Sequence, residues 1–491
     1  MKKFILVLLF IPCLLFSQVQ IGDDIDGEGA GDESGYSVSI SSDGTIIAIG
    51  GRYNRISGGI FQAPGHVRIY ENIGGIWTQI GQDLDGESSS DLSGSSVSTS
   101  SDGTIVAIGA PNNEGVNGFA SGHVRIYEYN GTSWTQLGND IDGERSGDRS
   151  GRRVSLSSDG TIVAISALGN NENGSNSGHV RVYEYNGTSW TQIGEDIDGE
   201  STYYQTGNSI SLSNDGTRIA IETIGNNDNS GQISVYENQV GSWTQIGADI
   251  VREDTDEDSD GSVSLSGDGS ILAIGVKYND GNGINSGHVR VYEYNGTAWT
   301  QIGEDIDGEA VGDLSGNSVS LSNDGTLVSI GAYFNDGVNG TNSGHVRIYK
   351  NQGGSWIQIG DDIDGEASSD LSGFSVSLSN DGSIVAIGAI HNAGNGSDSG
   401  HVRVFDLTEA LSIKENNSID FNLYPNPAQN QVTIKLQEAI ILEKVNIYNI
   451  LGQLISTSKE KIINTTHLSP GMYLIEIETN QGKATKQLVI E

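Results

Sequence analysis

Residues 94–111 read GSSVSTSSDGTIVAIGAP, and residues 122–143 read GHVRIYEYNGTSWTQLGNDIDG. In the first stretch a short segment alternates Ser with apolar residues, and an Asp-Gly pair separates it from the nearly continuous apolar run TIVAIGA. In the second, GHVRIYEY is parted from WTQLG by Asn-Gly. Period-two alternation and β-branched residues predict four strands. Asp-Gly and Asn-Gly are favoured two-residue hairpin turns, so consecutive strands are antiparallel.

This unit repeats along the chain. All six tryptophans occupy the WTQIG motif or a near copy (Trp77, Trp134, Trp190, Trp243, Trp299, Trp356), at spacings of 57, 56, 53, 56 and 57. The Asp-Gly turn recurs seven times, at Asp43, Asp102, Asp159, Asp215, Asp268, Asp324 and Asp381. GHVR recurs six times, with His66, His123, His179, His288, His345 and His401, and the seventh copy is degenerate at Gly231-Gln232-Ile233-Ser234. Four antiparallel strands at a fixed period describe a propeller blade. The last unit stops after GHVRVFDL at 400–407, while the segment from Gln18 to Glu28 reads QVQIGDDIDGE and supplies the missing fourth strand. The expectation is an all-β chain: a seven-bladed β-propeller over 18–409, closed by its N-terminal strand. Ser on the first strand suits the innermost position, where strands crowd around the channel. The long loops between second and third strands share one face with the connections between blades, and variable loops on a rigid scaffold make that face the candidate binding surface.

These units resemble FG-GAP repeats of integrin-like and bacterial surface proteins. Gly109-Ala110-Pro111 matches the GAP half, and Phe374 beside Gly373 gives the FG pair in reverse order. The resemblance implies the architecture and leaves the role open, since this fold serves many.

Composition limits the function classes. The 491 residues contain 69 Gly, 64 acids and 25 Lys+Arg, for a net charge of −39. That balance excludes a nucleic-acid binder working by phosphate neutralisation and a polybasic membrane-surface protein. Residues 1–17 read as a signal peptide: Lys2 and Lys3, an apolar run from Phe4 to Phe16, then cleavage between Ser17 and Gln18. The apolar run is too short to span a bilayer. The only cysteine, Cys13, lies within it, so the mature chain has no disulfide.

Several motifs bear on chemistry. The recurrent DIDGE-x-x-x-D, as at Asp305, Asp307, Glu309 and Asp313, offers oxygen ligands suited to Ca²⁺, but the spacing is not that of an EF-hand and solvated Asp turns are the favoured reading. Asp254, Asp256, Asp258 and Asp260 before Gly261 give the D-x-D-x-D-G core of calcium loops and are the candidate metal ligands. Strand alternation places the GHVR His and Arg on one side, read as structural packing with each Arg beside a neighbouring carboxylate. In the fourth unit their replacement by Gln232 and Ser234 accompanies the break of DIDGE to Asp249-Ile250-Val251-Arg252-Glu253, which suggests that the two motifs touch. No HExxH, GxSxG or phosphate-binding glycine loop appears, so the chain is read as non-enzymatic, with a glycoside hydrolase as the minor alternative. The irregular stretch from Tyr203 to Asp260 is where such a site would lie.

Residues 410–420 form a polar linker, and 421–491 carry six acids and six Lys. Strand-like segments QVTIKL, KVNIYNI, QLIST, MYLIEIE and KQLVIE predict a small β-sandwich. The tail closely resembles the C-terminal sorting domain of the Bacteroidetes type IX secretion system. The matching residues are Leu423-Tyr424-Pro425-Asn426-Pro427, Gly452, and Leu468-Ser469-Pro470-Gly471-Met472-Tyr473. The resemblance implies export across the outer membrane by the type IX machinery, with the tail removed or replaced by an anchor. The expected function is therefore a secreted or cell-surface adhesin or glycan-binding module, possible Ca²⁺ included. Its partner would be an extracellular glycan or a surface protein. The alternatives are a protein-interaction scaffold and a secreted hydrolase.

Overall fold

The computed structural model describes residues 18–54, 63–225, 231–252, 261–411, 421–436, 440–449, 453–479 and 482–491. The chain divides into two compact units, residues 1–411 and 412–491.

In the first unit the described residues form seven antiparallel sheets. The blade containing Trp134 shows the pattern: Ser96–Thr99, Ile105–Ala110, His123–Tyr129 and Trp134–Gln136 in order, with the two-residue strand Ile141–Asp142 continuing along the third strand. The seventh blade takes its outer strands from the other end of the propeller. Val19–Gln20 pairs with His401–Asp406 in the register Val19↔Asp406, and Ile25–Asp26 pairs with it in the register Ile25↔Val402. The expected N-terminal closure is present.

Three sets of links run from blade to blade. The alternating Ser of each innermost strand accepts the backbone N–H of the next blade, from Thr99 N to Ser39 Oγ at 3.0 Å through Leu156, Leu212, Leu265, Leu321 and Leu378 to Ile40 N on Ser377 Oγ at 3.2 Å. Seven such bonds return to their starting blade. At the hairpin end a second ring joins backbone to backbone, from Ser42 N on Ser101 O at 2.8 Å round to Asn380 N on Ser42 O at 3.0 Å. Towards the outside each Trp donates Nε1–H to a carbonyl of the preceding blade, as Trp134 does to Ile80 O at 2.9 Å. Gln18 stands where the seventh Trp would, and its amide reaches Ile359 O and Asp361 O. The Gly of WTQIG is required at this seam: Gly81 has φ +73°, and a Cβ there would lie 2.5 Å from Trp134 Cδ1.

Val, Ile and Ala of the second and third strands fill the layers between blades, as in the cluster of Val67, Ile69, Val106, Ile108 and Trp134. Each hairpin is fixed by its Asp. Asp102 Oδ1 accepts from Ser100 Oγ at 2.7 Å, Thr104 N at 3.0 Å and Thr104 Oγ1 at 2.8 Å. Burial pushes its pKa upwards, but these donors outweigh it and hold the carboxyl below the ordinary value.

The second unit is the expected sandwich. One sheet holds Asn422–Tyr424, Gln431–Lys435 and Ile462–Asn464, and the other holds Leu454–Ser458, Leu442–Asn449, Gly471–Thr479 and Gly482–Ile490. Phe421, Val432, Ile434, Val445, Ile447, Ile475, Ile477 and Leu488 form its core.

Candidate functional site

In so regular a repeat, the places where blades differ are informative. At the start of each innermost segment the sequence carries Ser-Gly or a near copy, and the residue that follows is Tyr36, Ser95, Arg152, Asn208, Gly261, Asn317 or Phe374. The residues that follow the second strand also vary, with Arg52-Tyr53 in the first blade, Lys277-Tyr278 in the fifth and Tyr333-Phe334 in the sixth. The two sets meet at the end of the central channel, around a cavity of about 470 Å³ lined by Tyr36, Arg152, Arg153, Lys277, Tyr333 and Phe374 among others.

The mouth is aromatic on one side. Tyr36 and Phe374 lie 5.1 Å apart between ring centroids, Tyr333 meets Phe374 edge-on at 5.6 Å, and Tyr333 and Phe334 are 4.4 Å apart. Cations lie against it. The Arg52 guanidinium sits 3.8 Å over the Tyr36 ring while pairing with Glu33 at 2.8 Å. Arg152 donates to Tyr36 Oη at 3.5 Å, and Lys277 Nζ lies 3.3 Å from Asn317 Oδ1. Tyr36 registers the local potential: burial alone would raise its pKa, yet Arg152, Arg52 and Arg153 together draw it below the ordinary tyrosine value. A protein of net charge −39 thus carries a positive, aromatic-lined mouth. Overall charge balance conceals it; aligning the seven copies at the position after Ser-Gly would have exposed it.

The repeated GHVR side chains lie elsewhere on this face, at the seams between blades. His66, His123, His179, His345 and His401 are almost fully buried. Burial, with Arg68 beside it, drives His66 to about 4, and His123 and His345 fall to about 4 chiefly through burial. The arginines reach back to the preceding connection. Arg125 donates to Asp85 O at 2.6 Å and Arg181 to Asp142 O at 2.8 Å, while their carboxylate neighbours Glu87 and Glu144 stand off at 3.7 Å. The expected carboxylate is beside each of these arginines, with a backbone carbonyl closer still, and in the fifth blade Arg290 binds the Asp305 carboxylate directly at 2.8 Å. The joint loss in the fourth blade has a geometric basis: His and the second Asp of the connection face each other across the ladder in the other copies, and here Gln232 faces Val251.

The acidic connections close mostly on themselves. Their last Asp binds its own turn, as Asp91 accepts from Ser88 N at 2.7 Å and from Asn113 Nδ2 at 2.9 Å. That satisfies the turn reading of DIDGE-x-x-x-D at this position. The candidate calcium ligands Asp254, Asp256, Asp258 and Asp260 lie outside the described residues, as do Ser17 and Gly452. Ahead of that loop in the chain, the irregular region holds a buried ion pair that the sequence did not announce. Glu222 occupies a position of the second strand that is Gly or Ser in the other copies, pairs with Arg252, and also accepts from Asn208 Nδ2 at 3.0 Å and Gly261 N at 3.1 Å. A small cleft beside it is lined by Asp198, Glu200, Tyr204, Tyr236 and Asp249.

In the tail, Asn426 ties the YPNP segment to the last strand, donating to Gln487 O at 2.8 Å and accepting from Val489 N at 2.9 Å. Tyr424 is exposed, and Tyr473 Oη donates to Ser469 O at 3.0 Å.

Residues 422–491 match the secretion system C-terminal sorting domain family. No curated protein matches the chain. Solved structures resemble it in outline: a periplasmic gluconolactonase of Pseudomonas aeruginosa (16% identity, 68% of this chain and 85% of that one, TM-score 0.43) and a putative 6-phosphogluconolactonase from Bacteroides uniformis (12%, 85% and 96%, TM-score 0.45). Sqt1 from Chaetomium thermophilum is a third (14%, 78% and 90%, TM-score 0.46). No helix among the described residues is long and apolar enough to cross a membrane. The chain is a propeller bearing a type IX sorting domain, and it is exported by that route to the cell surface or the extracellular space.

Proposed function

We propose that the exported propeller is a surface binding protein, an adhesin or glycan-binding module, whose channel mouth takes the anionic end of a glycan chain. The observation that carries this reading is the gathering of Arg152, Arg153, Lys277 and Arg52 around Tyr36 at the mouth, a positive site in an acidic protein. Aromatic faces beside it suit a sugar ring, and the concave mouth suits a chain end, because a long polyanion laid across the rim would meet the repulsive remainder of the surface. The likeness of the units to FG-GAP repeats of surface proteins supports the same reading. The role is binding rather than turnover.

The test is a binding screen of the mature chain against neutral and carboxylated or sulfated oligosaccharides, in Ca²⁺ and again in chelator. Binding confined to anionic termini supports the proposal, and the chelator arm reads the calcium expected at Asp254, Asp256, Asp258 and Asp260. Silence across the panel rejects it in favour of a protein-interaction scaffold. A hydrolase reading rests on the fourth-blade cleft, where Asp198, raised from its ordinary value chiefly by burial, lies with Glu200 and Asp249. It requires turnover that Asp249→Asn abolishes.

A further inference from the structure

The seams between blades carry a second repeated constellation, distinct from the channel mouth. In five blades a buried imidazole, the first Asp of that blade's own connection and the Glu of the preceding connection bring ligand atoms together. The sets are Glu28/His66/Asp83, Glu87/His123/Asp140, Glu144/His179/Asp196, Glu309/His345/Asp362 and Glu366/His401/Asp24. We propose that each of these five seams is a binding site for a first-row divalent cation of the zinc type, held by His Nδ1 and two carboxylates contributed by adjacent blades.

The spacing leaves room for an ion between the ligand atoms. His179 Nδ1 lies 3.2 Å from Asp196 Oδ2 and 3.8 Å from Asp198 Oδ1, and His123 Nδ1 lies 3.6 Å from Asp140 Oδ2 and 4.0 Å from Glu87 Oε2. His345 and His401 repeat this with separations of 3.5–4.0 Å. Tetrahedral bonds of about 2.0–2.1 Å place neighbouring ligand atoms roughly 3.3 Å apart. The fully buried Nδ1 of His66 has no hydrogen-bond partner, while those of His179 and His401 face Asp196 Oδ2 and Asp24 Oδ2 at 3.2 and 3.5 Å. An unsatisfied buried polar atom is costly, and each of these nitrogens faces the carboxylates. One imidazole with carboxylates suits zinc or its neighbours rather than the all-oxygen shell of Ca²⁺.

The surroundings are those of a supported site. Gln at the end of WTQ holds one oxygen of the Asp, as Gln136 Nε2 holds Asp140 Oδ1 at 2.6 Å, and leaves Oδ2 towards the imidazole. The GHVR Arg stands 3.6–3.9 Å from Oε1 of the Glu in the blades of Arg125, Arg181, Arg347 and Arg403. In the first, third and fourth of these, the other oxygen, Oε2, is the one nearer His Nδ1. Two blades fail the pattern. In the fifth, His288, Asp305 and Asp307 gather instead, but Arg290 grips Asp305 through two nitrogens at 2.8–3.0 Å and already satisfies that carboxylate. In the fourth, Glu200 and Asp249 are in place but Gln232 replaces the imidazole.

That fourth blade supplies the decisive experiment. Zinc chloride is titrated calorimetrically into metal-stripped, untagged mature chain, with bound metal counted by elemental analysis. The expected result is saturation at about five ions per chain. His179→Gln should lower it by one, Glu144→Gln (a half-exposed residue that can change without disturbing the core) should weaken one site at least tenfold, and Gln232→His should add a sixth. Binding of less than one ion per chain, or a stoichiometry that ignores both His179→Gln and Gln232→His, overturns the proposal. Gain of a site cannot be mistaken for misfolding.

Discussion

Ile25→Ala tests whether the propeller is closed by its N-terminal strand. Ile25 is 5% exposed and packs with Ile40, Ile47, Ile49, Val402 and Val404. Its repeat equivalent Ile141 is 6% exposed within the second blade. Either truncation should cost about 2–4 kcal/mol, the range for removing a buried Ile side chain beyond Cβ. The consequences differ. Ile141 belongs to a strand continuous with its blade on both sides, whereas Ile25 sits on a segment held only through its pairing with His401–Asp406 and a few side contacts such as Trp77 Nε1 to Ile21 O at 2.8 Å. Local opening of that segment exposes the Ile21 and Gly27 amides, which donate to Val404 O and Gly400 O at 2.8 Å each. At 1.4 kcal/mol per tenfold, Ile25→Ala should speed their hydrogen exchange by about 30- to 700-fold. Ile141→Ala should leave those two amides within about threefold of the parent. The reasoning is refuted if Ile25→Ala leaves them unchanged, or if they already exchange at the unprotected rate in the parent.

Other outcomes follow from named contacts. Glu222→Gln should destabilise the propeller by about 3–5 kcal/mol in denaturant unfolding, because it strands Arg252 as a buried charge; Glu222→Gln with Arg252→Met should recover most of the loss. Asp102→Ala should cost about 1–2 kcal/mol at neutral pH. Since the folded carboxyl titrates below its unfolded value, that difference is present above about pH 4 and should shrink as pH falls through the folded pKa, measured as paired melting curves. Tyr36 ionises below the ordinary tyrosine value, so its phenolate should oppose an anionic ligand as pH rises towards 10; affinity should decline there in the parent and hold in Tyr36→Phe. Deleting 422–491 should leave the propeller inside the outer membrane, read by surface proteolysis of whole cells.

The periodic part of the molecule was legible because repetition made it so. Seven Asp-Gly turns and six WTQIG motifs located the strands, QVQIG identified the closing piece, and Ser alternation marked the innermost strand whose hydroxyls link neighbouring blades. What was hidden was aperiodic or three-dimensional. Arg152 and Tyr36 are 116 residues apart and meet only because the ring brings the first and third blades to one mouth. Glu222 and Arg252 are 30 residues apart, and nothing in the repeat pattern pairs them. The GHVR arginine was expected beside a carboxylate and lies beside one, but its closer contact to a backbone carbonyl of the preceding connection, as Arg125 makes to Asp85 O at 2.6 Å, has no signature in the motif.

The most direct test of the central claim is the affinity of the mature chain for an anionic oligosaccharide, compared with that of Arg152→Glu at two salt concentrations. The account predicts binding that weakens with salt, falls at least tenfold in Arg152→Glu and persists in Arg145→Glu on the loop rim. Equal affinity in Arg152→Glu and the parent, or binding indifferent to salt, would contradict it.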